Sequence, residues 1–147
     1  ELVALGVPPA DLDDATSRAA TALDNTLQDP RGRWILSSEH RDAASELALS
    51  GVENQRIVSV VIDRTFVDAD GVRWVVDFKT SPHEGGSVEQ FLLEQTARYR
   101  AQLTRYVRLL EALKGGPVRA GLYFPLLKEW RECSLQTTAD ANEPRVD

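Results

Sequence analysis

The stretch VIDRTFVDADGVRWVVDFKT, residues 61–80, decides how this chain folds. Two runs rich in β-branched and aromatic residues flank the turn signal Asp68-Ala69-Asp70-Gly71, so it reads as a β-hairpin. Side chains alternate faces along a strand, and a one-residue slip moves a whole set to the other side. A two-residue Asp-Gly loop would pair Asp63 with Phe78 and send Asp63 and Asp77 to opposite faces. A three-residue loop of Ala69, Asp70 and Gly71, with glycine in the left-handed position, pairs Asp68 with Val72 and Asp63 with Asp77. Lys79 then shares their face. In this register Val58, Val60, Ile62 and Phe66 lie on one face with Trp74, Val76 and Phe78. That is a strong core face, interrupted by Arg64, which we place near an edge. The opposite face, with Val61, Asp63, Thr65, Val75, Asp77 and Lys79, is mixed, as a cleft lining would be. The three-residue loop is the preferred reading.

By spacing alone, Asp63, Asp77 and Lys79 also fit a surface salt-bridge ladder, a weak and common feature. Their neighbours Val75, Val76 and Phe78 shift the reading, because acids in so apolar a setting need a metal or a full set of partners. Two acids and a lysine on adjacent strands suit a divalent cation beside an ammonium that touches water or phosphate. Metal-dependent phosphodiester hydrolysis is the expected chemistry.

Outward from the hairpin, residues 11–28 after Val7-Pro8-Pro9 follow a helical pattern with acids in the first turn. Leu12, Ala15, Ala19, Ala22, Leu23 and Leu27 are its expected buried stripe, and Asp29-Pro30-Arg31-Gly32 its expected end. Trp34, Ile35 and Leu36 form a short apolar patch. Glu46, Leu47 and Leu49 before Gly51 have strand character, and residues 52–56 are expected to connect to a long strand over 57–67. The hairpin partner covers 72–80, and residues 81–87 read as a mobile loop. A long helix follows over 88–113, stopped by Gly115-Gly116-Pro117. Strands are expected at 119–126 and 131–135, then a polar tail from 137. The fold class is α/β or α+β: a mixed sheet flanked by helices. One domain is expected over 1–147, with a helical part at 1–42 and a sheet core with the long helix at 43–136.

The chain's 147 residues suffice for one domain with a real core. The net charge of −6 looks wrong for a nucleic-acid enzyme, but it is unevenly spread. Residues 1–30 hold six acids and one arginine, whereas residues 31–127 hold thirteen bases and twelve acids. No strong basic patch is visible, so tight DNA binding by this piece alone is not expected. No membrane span or secretory signal is evident. The single cysteine, Cys133, rules out an internal disulfide and fits a reducing, cytoplasmic compartment. With Glu1 first and no methionine, the chain reads as an N-terminally truncated fragment.

On the long helix, Tyr99, Gln102, Leu103 and Tyr106 form YxxQLxxY. Gln102 and Tyr106 share a face one turn apart, with Gln95 and Arg98 extending that polar edge. Leu92, Leu103, Val107 and Leu110 make the apolar stripe. Beside the hairpin, the polar edge can meet water, lysine or DNA backbone.

The order IDR strand, hairpin, VDFKT and then YxxQLxxY resembles the RecB-like branch of the PD-(D/E)XK nucleases. More narrowly, it is similar to the nuclease domain at the C-terminus of UvrD-type helicases and of the RecB and AddA exonuclease subunits. The likeness covers roughly residues 43–126 and implies a restriction-endonuclease-like mixed sheet core. It implies that Asp63 and Asp77 bind Mg²⁺ or Mn²⁺, with the Phe78 backbone carbonyl as a further ligand. It implies that Lys79 orients the attacking water, and that Gln102 and Tyr106 serve from the following helix. Glu46 matches an acidic position before the hairpin. It either holds water or a second metal, or is a solvated strand acid. The family's usual histidine, on a helix well before the acidic strand, has no counterpart here. His40 and His83 read as surface histidines, and the family's ligand is expected outside this chain. The implied partners are single-stranded or unwound DNA, helicase domains of the parent chain and a second helicase–nuclease subunit. The alternative function is a catalytically incomplete module that binds single-stranded DNA or a partner within a repair helicase.

Overall fold

The computed structural model describes residues 9–83 and 85–135. Their order is α1 (Pro9–Gln28), α2 (Pro30–Leu36), β1 (Arg41–Glu53), β2 (Arg56–Val67), β3 (Arg73–Phe78), α3 (Val88–Lys114), β4 (Val118–Phe124) and β5 (Glu129–Cys133). The strands form one five-stranded sheet in the order β1-β2-β3-β4-β5. Only β3 and β4 run parallel, and α3 supplies the crossover that a parallel pair requires. This is the mixed α+β sheet flanked by helices that the pattern predicts. The expected tail from 137 lies outside the described residues.

The β2–β3 hairpin adopts the three-residue register. Phe66 pairs with Trp74 and Val67 with Arg73, and the Asp68 amide donates to the Val72 carbonyl at 2.9 Å. Gly71 takes φ 81°, which glycine accepts without a Cβ penalty. Asp68 organises the loop with both carboxylate oxygens. Its Oδ1 accepts from the Asp70 and Val72 amides at 2.9 and 3.0 Å, and its Oδ2 from Trp74 Nε1 at 2.8 Å.

The two sheet faces bury different sets. Toward α3 lie Val75, Ala120, Leu122 and Phe124, packed on Leu92, Leu103, Val107 and Leu110. On the other face Phe66, Trp74, Val76 and Tyr123 meet Ile35, with Trp34, Phe78 and Trp130 at the border. Ile62 and Val60 belong to the α3 side, contrary to the single face expected for them with Trp74. The break falls between Arg64 and Ile62. There the β1–β2 register runs on unshifted (Ser45 opposite Arg64, Leu47 opposite Ile62), but Glu46 between them has φ 55°. Beyond it the two-stranded ribbon, which twists more than a broad sheet, reaches α3. The Arg105 guanidinium of α3 meets Glu53 at the ribbon's end. The ribbon turns on Asn54 and Gln55, both at positive φ, where a longer connection over 52–56 was expected.

Two more expectations change. Asp29-Pro30-Arg31-Gly32 ends α1 but also begins α2, with Pro30 in the first turn, where its missing N–H costs nothing. Gly32 lets α2 lie against α1, since a Cβ there would overlap the Thr26 backbone. The buried positions of α1 are Ala22 and Thr26, whereas Leu23 and Leu27 are 56% and 52% exposed. Of the expected stripe, the Leu12 side chain lies outside the described residues. Arg64 sits on the core face without a cost in unpaired donors. It reaches Ile35 O, Ser37 O and Ser45 Oγ at 3.0–3.2 Å, covering carbonyls at the end of α2. Among the described residues no helix is long and apolar enough to cross a membrane.

Candidate metal and phosphate site

The hairpin's open end carries the predicted trio. Continuing the register past Arg64–Val76 sets Asp63 opposite Asp77. Asp63 Oδ2 accepts the Phe78 amide at 2.8 Å, which fastens the acid to the end of β3. Asp77 is only 5% exposed. Lys79 Nζ lies 2.7 Å from Asp77 Oδ2. That oxygen is buried and accepts no aligned hydrogen bond, so the lysine neutralises it as a near charge without satisfying its lone pairs.

Burial first, and then the Asp63 carboxylate, push the Asp77 carboxyl up to about 6, with Lys79 opposing both. Two acids thus lie close together here, and one ammonium pairs with Asp77. A divalent cation would balance the second acid. The oxygen donors of the two carboxylates suit a hard ion such as Mg²⁺ or Mn²⁺. Asp63 and Asp77 are the side chains that would hold it, with the Phe78 carbonyl adjoining Asp77 along the chain. Among the described residues no three acidic, histidine or cysteine side chains gather into a metal-binding group, so water or substrate oxygens would have to complete the shell.

Helix α3 forms the wall above the pair. Ser87 caps it, its hydroxyl accepting the Gln90 amide. The helical period then lines up Gln95, Tyr99, Gln102 and Tyr106. Lys79 Nζ rests 3.5 Å from the Tyr99 ring centroid, a cation–π contact that holds the ammonium from above. Gln102 Nε2 donates to Tyr106 Oη at 2.6 Å. Burial raises the Tyr106 phenol, and the negative Asp77 and Asp63 add to this, so the ring lies within the field of the pair. Gln95 Oε1, one turn before Tyr99, is buried without a hydrogen bond.

The structure thus brings together Asp63, Asp77, Lys79, Tyr106 and, through Tyr106, Gln102. Tyr99 is the residue that sequence reasoning passed over as a site residue. Its signal was in view, as the first tyrosine of YxxQLxxY one turn before Leu103. Glu46 lies opposite Asp63 in the β1–β2 register but is exposed, and it joins no group of three ligands. His40 is half-buried. It stacks on Phe66 with ring centroids 4.0 Å apart, in the aromatic cluster around α2. His83 packs near Phe91 and bonds the Gly86 carbonyl. Neither histidine joins the acid pair in a group of possible metal ligands. No family model matches this sequence, and no curated protein matches it closely enough to count as a relative.

Proposed function

We propose that this chain hydrolyses DNA phosphodiesters with Mg²⁺ or Mn²⁺, as a RecB-like nuclease domain working on strands delivered by UvrD-type helicase domains. The observation that carries the reading is the Asp77 carboxylate, buried against Asp63 with one oxygen left without an aligned donor. A fold concerned only with stability gains nothing from such a pair, because buried acids cost several kcal/mol unless compensated, by ~the magnitudes known for buried ions.

Hydrolysis forms a bond from water oxygen to phosphorus and breaks the bond to the leaving oxygen. The water gives up a proton and the leaving oxygen takes one. The bound cation would polarise the phosphate and lower the pKa of its water. Lys79, an ammonium with donors only, faces the same oxygens and stabilises charge on the phosphate or orients the water. Tyr99 keeps that ammonium in place. Tyr106 Oη accepts from Gln102, which leaves the phenol's own hydrogen to donate to a substrate oxygen. DNA, the helicase domains and a second helicase–nuclease subunit are the proposed partners, in the cytoplasm.

The two-carboxylate count favours one second reading, a nuclease-fold module that binds single-stranded DNA or a partner without cutting. The test uses labelled single-stranded DNA with Mg²⁺ or Mn²⁺, and compares wild type with Asp77→Asn and Lys79→Ala. The proposal expects cleavage by wild type alone. Equal cleavage by all three removes the site from the reaction. No cleavage, with no metal heat in calorimetry, selects the binding module.

A further inference from the structure

Next to the acid pair an open cleft of about 660 Å³ runs between the β1–β2 ribbon and α3. Residues 59–61 of β2 form one wall, and Arg98, Tyr99, Gln102, Arg105 and Tyr106 line the other. Two of these belong to the acid site as well. Tyr99 carries Lys79 on its ring, and Tyr106 lies in the field of Asp63 and Asp77. Through these two tyrosines the cleft borders the acid site, although Asp63, Asp77 and Lys79 do not line it. Among the described residues, Arg98 and Arg105 are the charged side chains lining it, on a chain of net charge −6. They stand seven positions apart, about 10 Å along the helix.

Arg105 is already occupied. Its Nε and Nη2 reach the two oxygens of Glu53 at 3.1 and 3.3 Å. This two-point contact is also how a guanidinium holds a phosphate. Glu53 closes β1 beside the Asn54–Gln55 turn, and both partners of the pair are partly exposed. An exposed pair of this kind holds weakly, so an arriving phosphate can displace the carboxylate. The volume is that of a small-molecule pocket, enough for a short piece of one strand.

We propose that Arg98 and Arg105 hold backbone phosphates of a single strand on its way to the acid pair, and that Glu53 competes with the strand for Arg105. The assignment rests on the phosphodiester reading of the site. It adds the path and an internal competitor that sets affinity.

The experiment is fluorescence anisotropy of a labelled single-stranded oligodeoxynucleotide titrated with the whole chain in EDTA, over a range of salt. Arg98→Ala and Arg105→Ala should each weaken binding by about 3–10-fold and lower the slope of log K against log salt by about one. Glu53→Gln should tighten binding by about 2–5-fold, the gain from freeing one guanidinium. Arg119→Ala, on an arginine held by Glu132 in the β4–β5 pair, should change nothing. Wild-type affinity and slope in both arginine variants, no tightening in Glu53→Gln, tighter binding of a duplex of equal length, or no binding by wild type at the lowest salt would each overturn the proposal. Altered binding together with full cleavage by Asp77→Asn would instead overturn the nuclease reading and leave the path standing. Unaltered binding with cleavage lost in Asp77→Asn does the reverse.

Discussion

The two ends of the β2–β3 hairpin each bury an aspartate, and the two are treated in opposite ways. At the turn, burial alone would raise Asp68, but hydrogen bonds from Trp74, Val72 and Asp70 outweigh it and hold the carboxyl below its ordinary value. At the open end, Asp77 meets another acid and one lysine, and its carboxyl is pushed up to about 6. Asp68 is a fastener, complete within its own loop. Asp77 shares its place with a second acid, and a carboxyl perturbed in this way marks a candidate site.

Replacing each acid tests this contrast. The largest effect is expected from Asp77→Asn, which should lower DNA cleavage by about 100-fold or more and remove the metal-binding heat. The same change should raise the thermal midpoint of the metal-free protein above pH 7, because it removes a charge the fold does not satisfy. A variant that cleaves normally, or that melts earlier, would erase the distinction between the two ends.

Asp68→Ala should do the opposite, costing about 2–4 kcal/mol by stranding the indole N–H of Trp74 and two loop amides. Its effect on cleavage should be only what that instability explains. Denaturant melts with activity assayed below the transition would show this. A stable Asp68→Ala protein would mean that the loop is held by something else.

The next effect is in pH. Folded Asp77 binds its proton more tightly than the unfolded chain does. From pH 4 to about 6 the folded protein keeps a proton that the unfolded chain has released, so stability falls as pH rises through that window and levels off above it. Subtracting the Asp77→Asn profile should leave a drop of about 1–3 kcal/mol. Cation binding should run the other way, weakening as pH falls below about 6, because metal and proton compete for one carboxylate. A flat difference profile would show that Asp77 is satisfied after all.

The smallest effect concerns Tyr99. Replacing it with leucine removes the ring under Lys79 and should lower kcat by about 3–30-fold, given the ~0.5–2 kcal/mol range of such contacts. Tyr99→Phe keeps the ring and should stay near wild type, with KM little changed in either variant. Equal losses in both would point to the hydroxyl and away from the cation–π contact.

Much of the site was legible in the residues themselves. The spacing of Asp68 and Gly71 selects a three-residue loop, because glycine alone takes the left-handed position freely. Once the loop is set, period-two alternation carries Asp63 to Asp77 and puts Lys79 beside them. Likewise the 3.6-residue period of α3 groups Gln102 with Tyr106, and Gly115-Gly116-Pro117 stops the helix where it was expected to stop. These features are local, with backbone geometry and sequence separation doing all the selecting. The exposure of Leu23 and Leu27 was not legible, since a helix shows its apolar residues but not which neighbour will cover them. Nor was α2, because Pro30 serves equally as a stop and as a first-turn residue.

Local sequence, then, sets the β2–β3 pairing, its register and the faces of the side chains nearest the turn. The three-dimensional assembly alone sets the rest. The ribbon bends at Glu46 and carries Ile62 to the α3 side, Tyr99 comes to lie on Lys79, and Asp77 loses its water. Each of these depends on surfaces distant along the chain meeting and excluding solvent. Burial, charge compensation and the pKa of a carboxylate belong to the packed whole, because they are fixed by what surrounds a group and not by what precedes it.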